Sequence, residues 1–167
     1  MKYNELISIV IPVFNSENSI KKLCLNICEV MKDYKIEIIL VNDCSEDKSD
    51  EVCQRIIDEV NVDSIYIKLS RNVGEHNALM AGIVKARGEW ILFMDDDLQN
   101  PPSEALKLVE HATKNKFDVV YGNYLKKKHN FFRNLVSKIN NITASIILRK
   151  PINLYLSSFK IVRKRIA

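Results

Sequence analysis

The run Leu6-Ile-Ser-Ile-Val-Ile-Pro-Val-Phe14 decides the fold. Its apolar residues follow one another without the every-second-residue alternation of a half-exposed strand, and five of the nine are β-branched. A strand of that kind is covered on both faces, the condition met in a parallel sheet flanked by crossover helices. Reading outward, Ser16 to Lys32 carries Ile20, Leu23, Cys24, Ile27 and Val30 at helical spacing. Ile36 to Val41, Ser64 to Leu69, Trp90 to Met94 and Asp118 to Tyr121 read as further strands. Asp47 to Asn61, Glu75 to Lys85 and Pro102 to about Lys114 read as the helices between them. This alternation predicts an α/β fold, a doubly wound, mostly parallel, Rossmann-like sheet with right-handed crossovers.

Composition agrees with one globular domain. The chain has 167 residues, 47% hydrophobic and 28% charged, with only four Gly and four Pro, which excludes disordered and collagen-like classes. No apolar run approaches the roughly 18–20 residues of a bilayer span, and MKYNELISIVIPVF lacks signal-peptide character, so a cytoplasmic location is expected. The four cysteines, Cys24, Cys28, Cys44 and Cys53, form no CxxC pair and read as reduced thiols.

Charge is unevenly placed. Net charge is +4, yet residues 119–167 hold 11 basic side chains and no Asp or Glu, leaving 14 basic against 21 acidic groups in the first 118. We therefore expect a core over residues 1–125 and a basic C-terminal extension, 126–167, that meets an anionic partner and reads as truncated. Within it, Asn130 to Leu148 suits an amphipathic helix and Leu154 to Val162 an irregular or strand segment. Basic residues interleaved with Phe131, Phe132, Leu135, Ile139, Ile146 and Ile147 also suit peripheral contact with anionic lipid.

Ligands of open parallel sheets bind beyond the carboxyl ends of the strands. Those ends carry Pro12, Phe14, Asn15 and Glu17; Asn42, Asp43, Ser45 and Asp47; Arg71, Asn72 and Gly74; and Asp95, Asp96, Asp97 and Gln99. Asx residues here also serve as helix caps, the alternative reading for Asp43, Asp47 and Asn15. Three adjacent acids after a buried strand repel one another unless a cation intervenes. Asp95 and Asp97, spaced i and i+2 and joined by the Gln99 amide, offer the hard oxygen donors that Mg2+ or Mn2+ prefers. A unit charge pair at roughly 4 Å is worth about 4 kcal/mol at an effective dielectric near 20, enough for a divalent ion to offset the cluster.

Taken together, SIVIPVFNSE (Ser8 to Glu17), LVNDCSED (Leu40 to Asp47), LSRNVGEHNALMAGIVKARGEWILFMDDDLQNPPSE (Leu69 to Glu104) and, more loosely, SSFKIVRK (Ser157 to Lys164) resemble the family 2 glycosyltransferases of GT-A fold. Within them the chain is similar to the polyprenyl-phosphate sugar transferases of the dolichyl-phosphate mannose synthase and bactoprenol glucosyltransferase group. The resemblance implies that Pro12, Phe14, Asn15 and Glu17 line a nucleotide pocket, with Asp43 on the base and Arg71, Asn72 and Gly74 in the loop beside it. It implies that Asp95 lies near ribose and phosphates and that Asp97 with Gln99 binds the metal, Asp95 and Asp97 being the catalytic pair. Two departures are Glu75, where close relatives often carry Gln, and Tyr124-Leu125 in place of an Arg, with Lys126, Lys127 and Lys128 beside it to supply charge.

The implied reaction is inverting transfer from a UDP- or GDP-sugar. A hydroxyl acceptor needs a carboxylate base, which in hydroxyl-directed relatives lies downstream of the acidic motif, and residues 119–167 contain none. A lipid phosphate, with second pKa near 6, is already ionised. The expected acceptor is therefore a polyprenyl phosphate, at the cytoplasmic face of a membrane, with Arg133, Ser137, Lys138 and Arg163 as candidates to grip it. The rival acceptor is a glycan hydroxyl. A nucleic-acid-binding module would leave the acidic rim unexplained, so no nucleic-acid partner is expected, and a dinucleotide oxidoreductase would show GxGxxG where PVFNSE stands.

Overall fold

In a computed structural model, which describes residues 5–122 and 157–167, the run Leu6 to Phe14 forms strand β1 (Ile7–Val13) at the centre of a six-stranded sheet. The chain continues as α1 (Ile20–Val30), β2 (Ile36–Asn42), α2 (Ser49–Glu59), β3 (Asp63–Lys68), α3 (Glu75–Lys85), β4 (Trp90–Phe93), α4 (Pro102–Asn115), β5 (Val119–Tyr121) and β6 (Lys160–Arg163). Met1–Val120 and Ser158–Ala167 make up one compact unit and Tyr121–Ser157 a second, of which only Tyr121, Gly122 and Ser157 are described.

The strand order is β3-β2-β1-β4-β6-β5. β1 pairs in parallel with β2 and β4, and β2 with β3, as the continuous apolar runs predict. The sheet is mostly parallel for one reason: β6 lies antiparallel to β4, Trp90 opposite Arg163, and separates β4 from β5. Lys160–Arg163 therefore belongs to the core sheet although it falls within the basic extension.

The two faces bury different residue sets. Ile7, Ile9, Ile11 and Val13 pack with α1, α2 and α4 side chains such as Leu23, Ile27, Ile56 and Val109. Val10, Ile39, Val41 and Ile91 pack with Ala78 and Leu79 of α3. Gly82 lets α3 lie directly on the sheet: a Cβ there would meet Val10 Cγ1 at 2.4 Å and Val41 Cγ2 at 3.2 Å. Overpacking of about 1–3 kcal/mol, less the roughly 1 kcal/mol that alanine gains over glycine in a helix, predicts that Gly82→Ala destabilises by about 1 kcal/mol. Urea unfolding checks this, and a more stable variant would contradict it. All four cysteines are free thiols, and burial first, then nearby thiol charge, pushes Cys24 up to about 12, so it stays protonated.

Two features prepare the site. The β1–β4 ladder ends at Val10 opposite Phe93, while β1–β2 pairing continues to Val13. Pro12 thus stands past the end of β4 on that side, where its missing N–H costs no ladder bond. Here the strand order also reverses, the switch point at which doubly wound sheets open a crevice.

The opposite end of the sheet is closed by charge. Glu37, wholly buried, accepts hydrogen bonds from Ser8 Oγ (2.5 Å), Arg87 N (2.6 Å), Arg87 Nε (2.8 Å) and Gly88 N (3.2 Å). Arg163, expected to grip an acceptor phosphate, is a correction: it lies at this end. It stacks over Trp90 at 4.6 Å and pairs with Glu89 (3.3 Å) and Asp118 (3.6 Å). Antiparallel register places residue 163 beside the first residue of β4, whereas Asp95 follows its last.

Candidate functional site

Loops leaving β1, β2, β3 and β4 converge on one rim, and each contains a residue with left-handed backbone: Asn15 (φ 52°), Cys44 (φ 59°), Gly74 (φ 88°) and Leu98 (φ 62°). Glycine takes this conformation freely and asparagine readily, but for Cys44 and Leu98 it costs roughly 1–2 kcal/mol each. Such strain persists where surrounding bonds over-determine it, characteristically at functional sites.

The bonds are present. Asn15 N donates to Ser45 Oγ (3.1 Å), and Asn15 Oδ1 accepts from Glu46 N (2.8 Å). Glu17 N donates to Asp47 Oδ2 (3.0 Å), while Glu17 Oε2 accepts from Lys48 N (2.9 Å). Ser16 N donates to Ser49 Oγ (2.8 Å). Side chains of each loop thereby satisfy backbone groups of the other, locking the β1 and β2 exits together. Asp47 Oδ1 also accepts from Ser49 N (2.9 Å), but the N-cap of α2 is Lys48 and carries no side-chain cap bond, so Asp47 is not the helix cap; hydrogen bonds from Ser49 and Glu17 hold its carboxyl low against its desolvation.

Asp43 is buried, and its two oxygens accept from Val73 N and Gly74 N, both at 2.8 Å. It therefore holds the β3–α3 loop, where Asn72 Oδ1 also accepts from Gly74 N (3.2 Å). Arg71, in the same loop, is exposed and has no ion-pair partner among the described residues. Asp96 accepts from Phe14 N (2.9 Å), tying the β4 exit to the β1 exit and leaving the Phe14 ring half exposed on the rim.

Asp95 is fixed more firmly. Its Oδ2 accepts from Asn100 Nδ2 (3.2 Å) and from Ser158 Oγ (3.0 Å), residues 5 and 63 positions further along the chain. Burial raises its carboxyl above the usual range, and the charges of Glu75, Asp97 and Asp96 raise it further, against the Ser158 bond. Asp97 is exposed, its Oδ1 accepting from Gln99 N (2.9 Å), a turn that the left-handed Leu98 permits. Asp97 and the exposed Gln99 offer oxygen donors fit for a hard divalent ion. Among the described residues no three or more His, Cys, Asp or Glu side chains gather into a cage, so an ion held here keeps coordination positions for a ligand's oxygens.

The structure thus brings Pro12, near the end of β1, and Phe14, Asn15, Glu17, Asp43, Arg71, Asn72, Gly74, Asp95, Asp97 and Gln99, in the loops that follow the strands, to one edge of the sheet. It does not bring Arg163 there, and Arg133, Ser137 and Lys138 lie outside the described residues. Sequence reasoning missed Asn100, Ser158 and the hydrogen-bonding role of Asp96. Asn100, three residues past Asp97, was legible by proximity; Ser158 is joined to Asp95 only by the sheet.

A doubly wound sheet with polar loops at its switch point is the frame of α/β proteins that hold nucleotides at the carboxyl edge. Residues 8–167 match the model of glycosyl transferase family 2, and the chain belongs to that family. It is 38% identical over 138 residues to the undecaprenyl-phosphate 4-deoxy-4-formamido-L-arabinose transferase of Photorhabdus laumondii, covering 81% of this chain and 42% of that protein. The protein of the same name in Pectobacterium carotovorum is 39% identical over 140 residues, with the same coverage. The chain thus spans about two fifths of the length of these curated relatives. Among solved structures, Mycobacterium tuberculosis glucosyl-3-phosphoglycerate synthase with Mn2+, UDP and glucosyl-3-phosphoglycerate superposes with a TM-score of 0.74 at 16% identity, over 97% of this chain and 58% of that one. A Pyrobaculum calidifontis mannosyltransferase with GDP-Man and Mn2+ gives 0.64 at 19% identity, over 81% and 39%. These likenesses establish the GT-A type of the sheet.

Proposed function

We propose that the chain is the nucleotide-sugar-binding part of an inverting glycosyltransferase that moves a sugar from a UDP- or GDP-sugar to a polyprenyl phosphate at the cytoplasmic face of a membrane. The observation that carries this reading is Asp95, pinned through one oxygen by Asn100 and Ser158 beside the exposed Asp97, in a chain whose curated relatives are named for transfer to undecaprenyl phosphate.

Phe14, Asn15 and Glu17 form the wall on which the nucleotide lies, and Asp43 reaches the base side while holding the loop of Arg71, Asn72 and Gly74. Arg71 meets the diphosphate with a guanidinium that no carboxylate neutralises. The second oxygen of Asp95 would face ribose and phosphates, and Asp97 with Gln99 would hold Mg2+ or Mn2+. When bound, the ion stabilises the charge that develops on the departing nucleoside diphosphate. The acceptor phosphate oxygen attacks the anomeric carbon opposite the leaving group, and being ionised near neutral pH it needs no base. Arg133, Ser137 and Lys138 remain the residues proposed to hold that phosphate. The basic residues of the extension would draw it to anionic lipid; among the described residues no helix is long and apolar enough to cross a membrane.

A thermal-shift panel of UDP, GDP, CMP and their sugars, with and without Mn2+, tests the donor half. A ligand at 100 times its Kd adds about 2.7 kcal/mol, which predicts a rise of about 5–10 °C for one nucleoside diphosphate, only with metal. Indifference to every nucleotide would sink the donor assignment. Labelled sugar appearing in a glycan but never in polyprenyl phosphate would replace the acceptor assignment with the hydroxyl one.

A further inference from the structure

One hydrogen-bonded relay at the rim begins outside it, on edge strand β3. Asp50, in the first turn of α2, accepts from the Tyr66 hydroxyl through Oδ1, from Gln54 Nε2 (3.0 Å) and, through Oδ2, from Lys68 Nζ (2.5 Å). An ionised carboxylate only accepts, so the Tyr66 proton is committed to Asp50 and the Tyr66 oxygen is left as an acceptor. Desolvation, then the Asp50 bond, pushes the Tyr66 hydroxyl up, so it stays protonated across the physiological range. Its oxygen accepts from Asn42 Nδ2 (2.9 Å). That contact fixes which way round the wholly buried Asn42 amide sits: the NH2 group toward Tyr66, the carbonyl oxygen toward Ser45 N, which donates to it at 2.9 Å. Ser45 Oγ in turn accepts from the left-handed Asn15, whose Oδ1 accepts from Glu46 N.

We infer that Tyr66 is a positioning residue for the nucleotide: by orienting the Asn42 amide it sets the Ser45–Glu46 turn and, through that turn, the strained backbone of Asn15 on the donor wall. The inference rests on the nucleotide-sugar reading above and adds a determinant outside the binding rim. Tyr66→Phe removes the acceptor for a buried amide NH2 without changing the shape of the ring. Asn42 is then free to flip and present NH2 rather than C=O to Ser45 N, and the turn loses its anchor.

The test is calorimetric titration of the full chain with UDP and with GDP, each with Mn2+, well below the melting temperature, for wild type, Tyr66→Phe, Ser45→Ala and the double variant. For the nucleotide that wild type binds, Tyr66→Phe is expected to weaken affinity about tenfold, and Ser45→Ala by a similar factor. The double variant should be little weaker than either single one, because both break the same relay. Amide exchange at Ser45 and Glu46 should accelerate in Tyr66→Phe without nucleotide. Unchanged affinity in Tyr66→Phe, or effects that multiply in the double variant, overturns the positioning role. Should Tyr66→Phe not fold, Ser45→Ala decides alone, and unchanged affinity there overturns the relay. If wild type binds neither nucleotide while Ser45 and Glu46 exchange still responds to Tyr66→Phe, the donor reading falls and takes the positioning role with it.

Discussion

Asp97→Ala is expected to abolish the metal-dependent part of nucleotide stabilisation and to lower transfer about 10³-fold, or about 4 kcal/mol of transition-state stabilisation, with the fold unchanged. The fold should survive because Asp97 is exposed and its one hydrogen bond among the described residues is the turn bond from Gln99 N. Function should not, because Asp95 already commits an oxygen to Asn100 and Ser158, and Asp96 is spent on Phe14 N. Neither of the other two carboxylates of the acidic run is exposed as Asp97 is, and both are bonded across the rim. The check is a thermal-shift comparison with the best nucleoside diphosphate, with Mn2+ and with chelator. The ligand role is refuted if the variant keeps the metal-dependent rise; a loss of the melting transition without ligand would instead show that Asp97 is structural.

At the other end of the sheet, Glu37→Ala should cost about 3 kcal/mol or more, read as a melting temperature lower by roughly 6–12 °C. The carboxylate has no exposure and takes four donors: the Ser8 hydroxyl, two consecutive backbone N–H groups at Arg87 and Gly88, and the Arg87 guanidinium. Its removal leaves the Ser8 hydroxyl and the Arg87 N–H without their acceptor, while Gly88 N keeps its bond to Ser8 Oγ (2.7 Å). The sign with pH follows. Burial alone would raise the Glu37 carboxyl, but hydrogen bonds from Ser8 and Arg87, with the Arg87 charge, leave it below the ordinary value. A carboxyl depressed in the folded state contributes stability above its unfolded pKa, about 4.3, and loses it as pH falls through the lower folded value. The gap between wild type and Glu37→Gln should therefore be widest near neutrality and shrink in acid. Urea unfolding at pH 7 and below pH 4 measures it, and a gap independent of pH would show that the carboxylate's charge plays no part.

The amino-acid sequence alone determined the order and type of the nine elements up to Tyr121, because continuous β-branched runs and helical periodicity are local signals that tertiary contacts here reinforce. It also placed the residues of the rim, since a doubly wound sheet sends every strand exit to one edge, so Asn15, Asp43, Arg71 and Asp95 are gathered by topology. Only the tertiary structure decided what depends on pairing across long separations. Lys160–Arg163 enters the sheet antiparallel, a register that local pattern in four residues does not encode, and this carries Arg163 away from the rim while bringing Ser158 to Asp95. The same holds for Tyr66, which reads as an ordinary strand residue: its hydrogen bond to Asn42 at the exit of β2 exists because β2 and β3 lie side by side.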